Sequence, residues 1–525
     1  MKLSVEGIKN RAAWLEKGIR LPEFDIAAVR EETAKAPEWV HFGAGNIFRG
    51  FIGSISQSLL NQGLAKTGII AVESFDFDII DKIYTPFDSL TLNVLMGKEL
   101  DMEVLAGIAC GVKATDYDRL YDIAVQPSLK MISFTITEKG YAVKGADGKL
   151  LGIVEADIEN GIEAPKHTMS IVAAMLYKRF KANGKPVAVV SMDNCSHNGE
   201  KLMAGVMTVA KAWADAGKVE KEFIGYLENT VSFPWSMIDK ITPRPNDSIQ
   251  AKLEELGVED MAPVITGKGT YIAPFVNAEV PQYLVIEDDF PGGRPELEKA
   301  GVYLTTRETV NKAETMKVTT CLNPLHTGLA VYGCLLGYTT IWEEMKDKAL
   351  VNLVNRIAAE GMKVVIDPKI IDPQKFVNEV IGERLPNPYM PDAPQRIATD
   401  TSQKIPVRYG ETIKSYMRSA ELDPSQLEAI PTVIAGWFRY LLAIDDDGNA
   451  FEPSADPMLS EMQAKLSGVE LGRPETADGV LKDILTNEVL FGTDLYKAGL
   501  GEKIEKKFAA LLEGKGAVRR TLESL

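Results

Sequence analysis

The stretch that most constrains the fold is residues 39–62. Trp39-Val-His-Phe42 is a short apolar run, Gly43-Ala-Gly45 follows at once, and Phe51 to Gln62 has helical spacing. A Gly-x-Gly turn between a strand and a helix is the context that a dinucleotide-binding fingerprint requires. Such glycines let the backbone approach a pyrophosphate at a helix N-terminus. The third glycine of Gly-x-Gly-x-x-Gly is absent, because position 48 is Phe. The plainer alternative is an ordinary strand–helix turn. A second apolar run, Gly68 to Val72, ends in Glu73. An acid at the end of the second strand binds ribose hydroxyls and repels a 2′-phosphate, so Glu73 predicts NAD over NADP, with Asp76 and Asp78 as competitors. Met131 to Thr137 and Pro186 to Ser191 read as further buried strands, with a helix over 167–182 between them. Glu138, after the third of these strands, stands where α/β folds place ligand-facing residues. The expected nucleotide contacts are Gly43, Gly45, Asn46, Ile47, Phe48, Arg49, Glu73 and Glu138.

A chain of 525 residues is too long for one core, so at least two domains are expected. We place the boundary after residue 295, giving 1–295 as an α/β domain and 296–525 as a mostly helical one. Residues 90–96 and 103–109 read as a β-hairpin turning at Gly97-Lys-Glu99. With 58 basic and 74 acidic residues the net charge is −16, which argues against nucleic acid or an anionic membrane surface as partner. No apolar run reaches the ~18–20 residues of a membrane span. The N-terminus lacks a signal core, and the four cysteines form no CxxC pair, so a reducing cytoplasm is expected. Cys195, His197, Cys321 and His326 lack the spacing of a closed zinc site, and no metal is expected.

The densest chemistry lies in Glu314-Thr-Met-Lys317-Val-Thr-Thr-Cys321-Leu-Asn323-Pro-Leu-His326. Asn323 suits a helix N-cap and Pro324 the first helical position, with His326 in the first turn. Glu314 and Lys317, three apart, would share a helix face. A lysine beside a carboxylate can act as acid or base, and an Asn amide can donate to a developing alkoxide. The set suits carbonyl–alcohol interconversion. The plainer alternative is a capped helix with a surface lysine.

Several motifs together resemble the mannitol dehydrogenase family. They are Gly43-Ala-Gly45-Asn-Ile-Phe-Arg49, Thr135-Ile-Thr-Glu138-Lys-Gly-Tyr141, Asp193-Asn194 with His197-Asn-Gly199, Phe233-Pro-Trp-Ser-Met-Ile-Asp239-Lys-Ile-Thr-Pro243, and Ile286 to Pro295. The resemblance implies a Rossmann-type N-terminal domain, a mostly α-helical C-terminal domain, and metal-independent hydride transfer between NAD(P) and a secondary alcohol. It further implies Lys317 as general acid/base and Asn194 and Asn323 as stabilisers of the reacting oxygen. His326 would contact substrate, and Glu314 would lie on the proton path. Asp239, in the family signature, is grouped with the substrate-binding residues. The family pattern is Lys-x4-Asn-x2-His, often with Arg two residues after the Lys. Here five residues separate Lys317 from Asn323, and Thr319 stands in place of the Arg. A loop before Asn323 is expected to absorb the extra residue.

Beyond residue 296 helical signals dominate, over 350–361, 432–442 and 458–466. Arg396-Ile-Ala-Thr-Asp400-Thr-Ser-Gln-Lys404-Ile-Pro406-Val-Arg408 also resembles a family motif, in which the Arg and Lys at 396 and 404 face the substrate. Two or three cations in one loop suit an acidic sugar, since Arg can grip a carboxylate bidentately. Alternatively Asp400 and Glu411 neutralise them on a solvated face. The expected partner is a sugar acid or polyol. The alternative of another class is an inactive nucleotide-binding sensor.

Overall fold

The computed structural model describes residues 1–390 and 392–525. The chain folds into two compact units, Met1–Asn311 and Lys312–Leu525.

The first unit is built on a six-stranded sheet. Its strands are β1 (Trp39–Phe42), β2 (Ile69–Glu73), β3 (Ile108–Lys113), β4 (Met131–Phe134), β5 (Val187–Ser191) and β6 (Val231–Ser232). The spatial order is β3-β2-β1-β4-β5-β6 and every pairing is parallel. That is the doubly wound dinucleotide-binding order, in which the strand order reverses between β1 and β4. β1, β2, β4 and β5 are buried along their whole length, which explains continuous apolar runs in place of alternation. Helices α1 (Gly53–Asn61), α2 (Thr168–Ala182) and α3 (Asn198–Asp215) supply amphipathic faces to the two cores that flank the sheet. Each fully buried Val, Ile or Leu adds about 1.5–3 kcal/mol.

The hairpin over 90–109 forms only in part. Thr91–Met96 pairs antiparallel with Leu100–Leu105, and Gly97-Lys-Glu99 makes the turn. The chain then breaks at Ala106-Gly107, and Ile108 onward becomes β3 of the main sheet. Gly107 allows this, since a Cβ there would lie 2.6 Å from the Gly53 carbonyl oxygen on α1. The family signature forms Ser236–Asp239, which pairs antiparallel with Tyr283–Glu287. Tyr303–Thr305 adds to the same small sheet in parallel. These pairings carry the first unit beyond residue 295, to a division that falls inside α4 (Arg307–Met316).

The second unit is helical, around α5 (Asn323–Leu335), α6 (Lys348–Met362) and α7 (Ala429–Leu441). α5 is apolar on nearly all sides because helices cover nearly all sides. Small residues set the approach distances. A Cβ on Gly328 would stand 2.6 Å from Ile357 Cδ1 of α6 and 3.3 Å from Val433 Cγ2 of α7. One on Gly436 of α7 would enter the Tyr332 ring of α5, whose hydroxyl donates to the Thr432 carbonyl at 2.8 Å.

Between α4 and α5, Lys317–Cys321 winds as a π-helical turn, with Leu322 N–H bonded to the Lys317 carbonyl at 3.1 Å. The extra residue is therefore taken up inside the helical run and no loop forms. A π-turn holds one more residue than the α-turn it replaces. The Thr319 and Thr320 hydroxyls donate to the carbonyls of Thr315 and Met316, both at 2.7 Å, satisfying acceptors at the widened turn. Leu322 occupies the N-cap position and Asn323 opens α5, so the expected Asn323 cap is not formed. With no cap bond to make, its amide is not committed to the helix end.

Candidate functional site

The nucleotide turn follows β1 directly. Gly43 has φ +105°, and a Cβ on it would lie 2.1 Å from the Thr135 carbonyl oxygen after β4. Its N–H donates to the Val72 carbonyl at 2.8 Å, so the turn is pressed between the ends of β2 and β4. Gly45 faces open space, with no atom within 4 Å of a Cβ built on it. Phe48 is buried and stacks on the His41 ring, centroids 4.1 Å apart. His41 is held by the hydroxyls of Ser133 and Thr135 at 2.6 and 2.8 Å. The close-packing glycine of this chain is Gly50, in the π-turn Phe48–Ile52, where a Cβ would meet Val276 Cγ1 at 2.7 Å. That explains a bulky residue at 48.

Arg49 is 1 % exposed. Its Nη2 donates to Asn46 Oδ1 at 2.8 Å, while Nε and Nη1 have no partner. Burial pulls its pKa to about 10, so it remains cationic at neutral pH. A turn with an open glycine and a buried cation holding two unused donors fits a dinucleotide pyrophosphate. Asn46 reaches the Pro243 carbonyl at 3.4 Å, and Ile47 is half-buried beside it.

Glu73 ends β2 as expected but is 6 % exposed. One oxygen accepts Ala44 N–H at 3.0 Å, and the other accepts Phe75 and Asp76 N–H at 2.8 and 3.1 Å. Its carboxylate thus braces the turn against the loop after β2. Glu138 is exposed and ion-paired with Lys201.

The loops after β4 and β5 are tied together by Asp193, a residue the sequence motif contained but did not mark. Its carboxylate accepts Ile136 and Thr137 N–H at 2.9 and 3.0 Å and the Tyr141 hydroxyl at 2.5 Å. Burial raises its pKa, against the pull of these three donors. Thr137 and His197 both sit at positive φ, +65° and +51°, a strain that surrounding bonds hold in place. Asn198 exchanges bonds with Ser236, its Oδ1 accepting Ser236 N–H at 3.0 Å, which fixes the start of Ser236–Asp239. Asn194 is exposed on this braced loop, and Asp239 is buried at the strand's end.

In the second unit Lys317 is 2 % exposed, whereas Lys312 is half-buried. Glu314 precedes Lys317 on the last turn of α4 and is half-buried. His326 donates from Nε2 to Asp392 at 3.2 Å. Burial pulls its pKa below the usual imidazole range, against Asp392, which leaves Nδ1 as an acceptor. Asp392 also takes a two-pronged bond from Arg396, Nε at 2.7 Å and Nη2 at 2.8 Å. Arg396 is therefore neutralised by Asp392, and Glu411 is paired with Lys414. Arg408 donates to Thr327 Oγ1 and lies 3.5 Å from the Asn323 carbonyl, joining the cation cluster to the start of α5. Lys404 donates to the carbonyls of Ile397 and Thr399, and burial beside Arg408 draws its pKa to about 8.

Glu344 is fully buried and neither of its oxygens has a hydrogen-bond partner. Burial, with Asp392 and Asp347 nearby, pushes its pKa well above the usual carboxylate range. The folded state therefore keeps a proton that the unfolded state sheds. Between the unfolded and folded pKa values stability falls as pH rises, by up to about 1.4 kcal/mol per pH unit. Glu344→Gln is expected to flatten that slope and to be more stable than the parent at pH 8, as measured by urea denaturation from pH 5 to 9.

Comparison with known proteins agrees with this geometry. The mannitol dehydrogenase Rossmann domain matches residues 37–299, and the mannitol dehydrogenase C-terminal domain matches 309–512. The D-mannonate oxidoreductase of Thermotoga maritima is 52% identical over 533 aligned positions, covering 100% of this chain and 99% of the relative. A polyol:NADP oxidoreductase of Gluconobacter oxydans is 29% identical, covering 86% of this chain and 88% of its own. Among solved structures a substrate-free D-sorbitol dehydrogenase superposes with TM-score 0.80 at 25% identity, covering 97% of both chains. The Pseudomonas fluorescens mannitol 2-dehydrogenase matches in fold, with TM-score 0.72 at 24% identity over 100% of this chain and 99% of its own. A parallel sheet with an open glycine turn, a helical second unit, and two domain models that together span most of the sequence lead to one conclusion: the chain belongs to the mannitol dehydrogenase family.

Proposed function

We propose that this protein is an NAD-dependent oxidoreductase that reduces D-fructuronate to D-mannonate, reversibly and without a metal. The observation that carries this is the full-length, 52% identical relative named D-mannonate oxidoreductase. The cluster of Arg396, Lys404 and Arg408 supports an anionic substrate. The fold's nucleotide turn supports NAD, with Gly43, Gly45, Asn46, Ile47, Phe48 and Arg49 at its pyrophosphate and Glu73 and Glu138 beside it.

When bound, the nicotinamide gives or takes the hydride. The protein's task is then to hold the keto group and to supply a proton to the oxygen as it becomes an alkoxide. Asn194 and Asn323 orient and polarise that oxygen, and Lys317 protonates it. Glu314 relays the proton to Lys317. His326, held by Asp392, accepts from a substrate hydroxyl through Nδ1. Asp239 takes part in substrate binding. The cations fix the carboxylate end, with Arg408 and Lys404 available beside the already paired Arg396.

A panel of uronates, neutral ketohexoses and their phosphates assayed with NADH tests the substrate. D-Fructuronate is expected to give the highest kcat/KM, and a preference for fructose would overturn the assignment. Lys404→Ala, which removes a cation not paired to a carboxylate, is expected to narrow the gap between the two. A pH dependence follows from Lys404. Its charge is present below about pH 8 and lost above it. For the anionic substrate kcat/KM, which reports the free enzyme, is expected to fall as pH passes that value. The same profile for a neutral ketose serves as the control.

A further inference from the structure

The end of β2 and the loop after it carry three acids, Glu73, Asp76 and Asp78, and the structure uses all of them internally. Glu73 accepts three backbone N–H groups. Asp76 is buried and accepts the hydroxyls of Thr266 and Thr270, both at 2.6 Å. Asp78 accepts Gly267 N–H and Lys82 Nζ, both at 2.8 Å. Thr266, Gly267 and Thr270 form the tip of a hairpin whose strands are Val264–Ile265 and Tyr271–Ile272. The two carboxylates therefore pin this tip against the end of β2.

What is left facing outward is an aromatic ring and a cation. Phe75 lies two residues after Glu73 and is 69 % exposed. Lys268, at the pinned tip, holds its Nζ 5.1 Å from the Phe75 ring centre. An exposed phenyl ring in a loop otherwise braced by buried carboxylates has no role in the core. In this fold the end of the second strand is where the adenosine of a dinucleotide lies. A purine stacks on any exposed aromatic face, and an ammonium offers three donors and a point charge to a ribose hydroxyl or phosphate.

We infer that Phe75 is the platform for the adenine ring and that Lys268 contacts the ribose 2′ position, moderating the discrimination against a 2′-phosphate. The inference rests on the dinucleotide reading above. Glu73 contributes negative charge that opposes a 2′-phosphate, and Lys268 offsets it in part. The positions of Asp76 and Asp78 matter because they set where the hairpin presents the lysine.

Calorimetric titration with 5′-AMP and with 2′,5′-ADP tests this without turnover. Phe75→Ala is expected to weaken both ligands by about tenfold. Lys268→Ala is expected to leave 5′-AMP within about twofold and to weaken 2′,5′-ADP by about fivefold or more, less so at high salt. Both residues lie at the surface, and thermal melts matching the parent establish that the variants are folded. An unchanged 5′-AMP affinity in Phe75→Ala overturns the platform. An equal effect of Lys268→Ala on the two ligands overturns the 2′ contact. If the parent protein binds neither nucleotide nor NADH, the dinucleotide reading fails, and this inference with it. Binding by the parent with no response in either variant defeats only the inference.

Discussion

Replacing Lys317 by alanine is expected to lower kcat by about 10²–10⁴-fold while NADH binding stays nearly unchanged, the range usual for loss of a general acid–base. Hydride addition leaves an alkoxide that needs a proton as it forms. Asn194 and Asn323 have amide donors but no proton to surrender. Lys317 is buried, and Glu314, the proposed relay, stands half-buried on the turn before it. Lys312 is the rival, five positions earlier on the same helical run and half-buried. The two alanine variants made side by side decide between them by steady-state kcat and by NADH fluorescence titration. Near-normal turnover in Lys317→Ala with collapse in Lys312→Ala would transfer the role to Lys312.

The two glycines of the turn are expected to fail in different ways. Gly43→Ala places a methyl group 2.1 Å from a backbone carbonyl at φ +105°, where an L-residue is strained and the neighbour cannot yield. A loss of roughly 2–5 kcal/mol of stability is expected from strain and overpacking together. Gly45→Ala meets no protein atom within 4 Å, so its stability is expected to stay within about 0.5 kcal/mol. Its methyl instead fills the space proposed for the pyrophosphate, and NADH affinity is expected to drop by about tenfold, or 1.4 kcal/mol. Chemical denaturation and calorimetric titration of both variants separate the effects. Equal NADH affinity in Gly45→Ala and the parent would remove this turn from cofactor binding.

Much of this was legible from one dimension. Long apolar runs ending in glycine or acid mark buried parallel strands, because strands covered on both faces need no polar alternation. The order of strand, Gly-x-Gly and helix marked the turn after β1, and the cluster from Glu314 to His326 supplied the catalytic residues proposed above. Period-3.6 apolar spacing marked the helices of the second unit. Each of these depends on residues close in sequence, where local geometry is enough.

What only the tertiary structure decided depends on residues far apart. The third glycine is absent from its usual place because Phe48 stacks on His41, and Gly50 takes over the close approach through a π-turn. The extra residue before Asn323 became another π-turn because Thr319 and Thr320 satisfy the carbonyls it exposes, so Leu322 took the cap position. Arg396 found Asp392, not Asp400, and the same carboxylate holds His326. The acids after β2 were spent on backbone amides and a hairpin 190 residues away. Sequence by itself determined which groups this protein possesses and the order of its strands and helices. Which carboxylates are consumed as braces, and which cations remain for a ligand, was decided by long-range packing, since a buried carboxylate takes the donors that the fold brings to it.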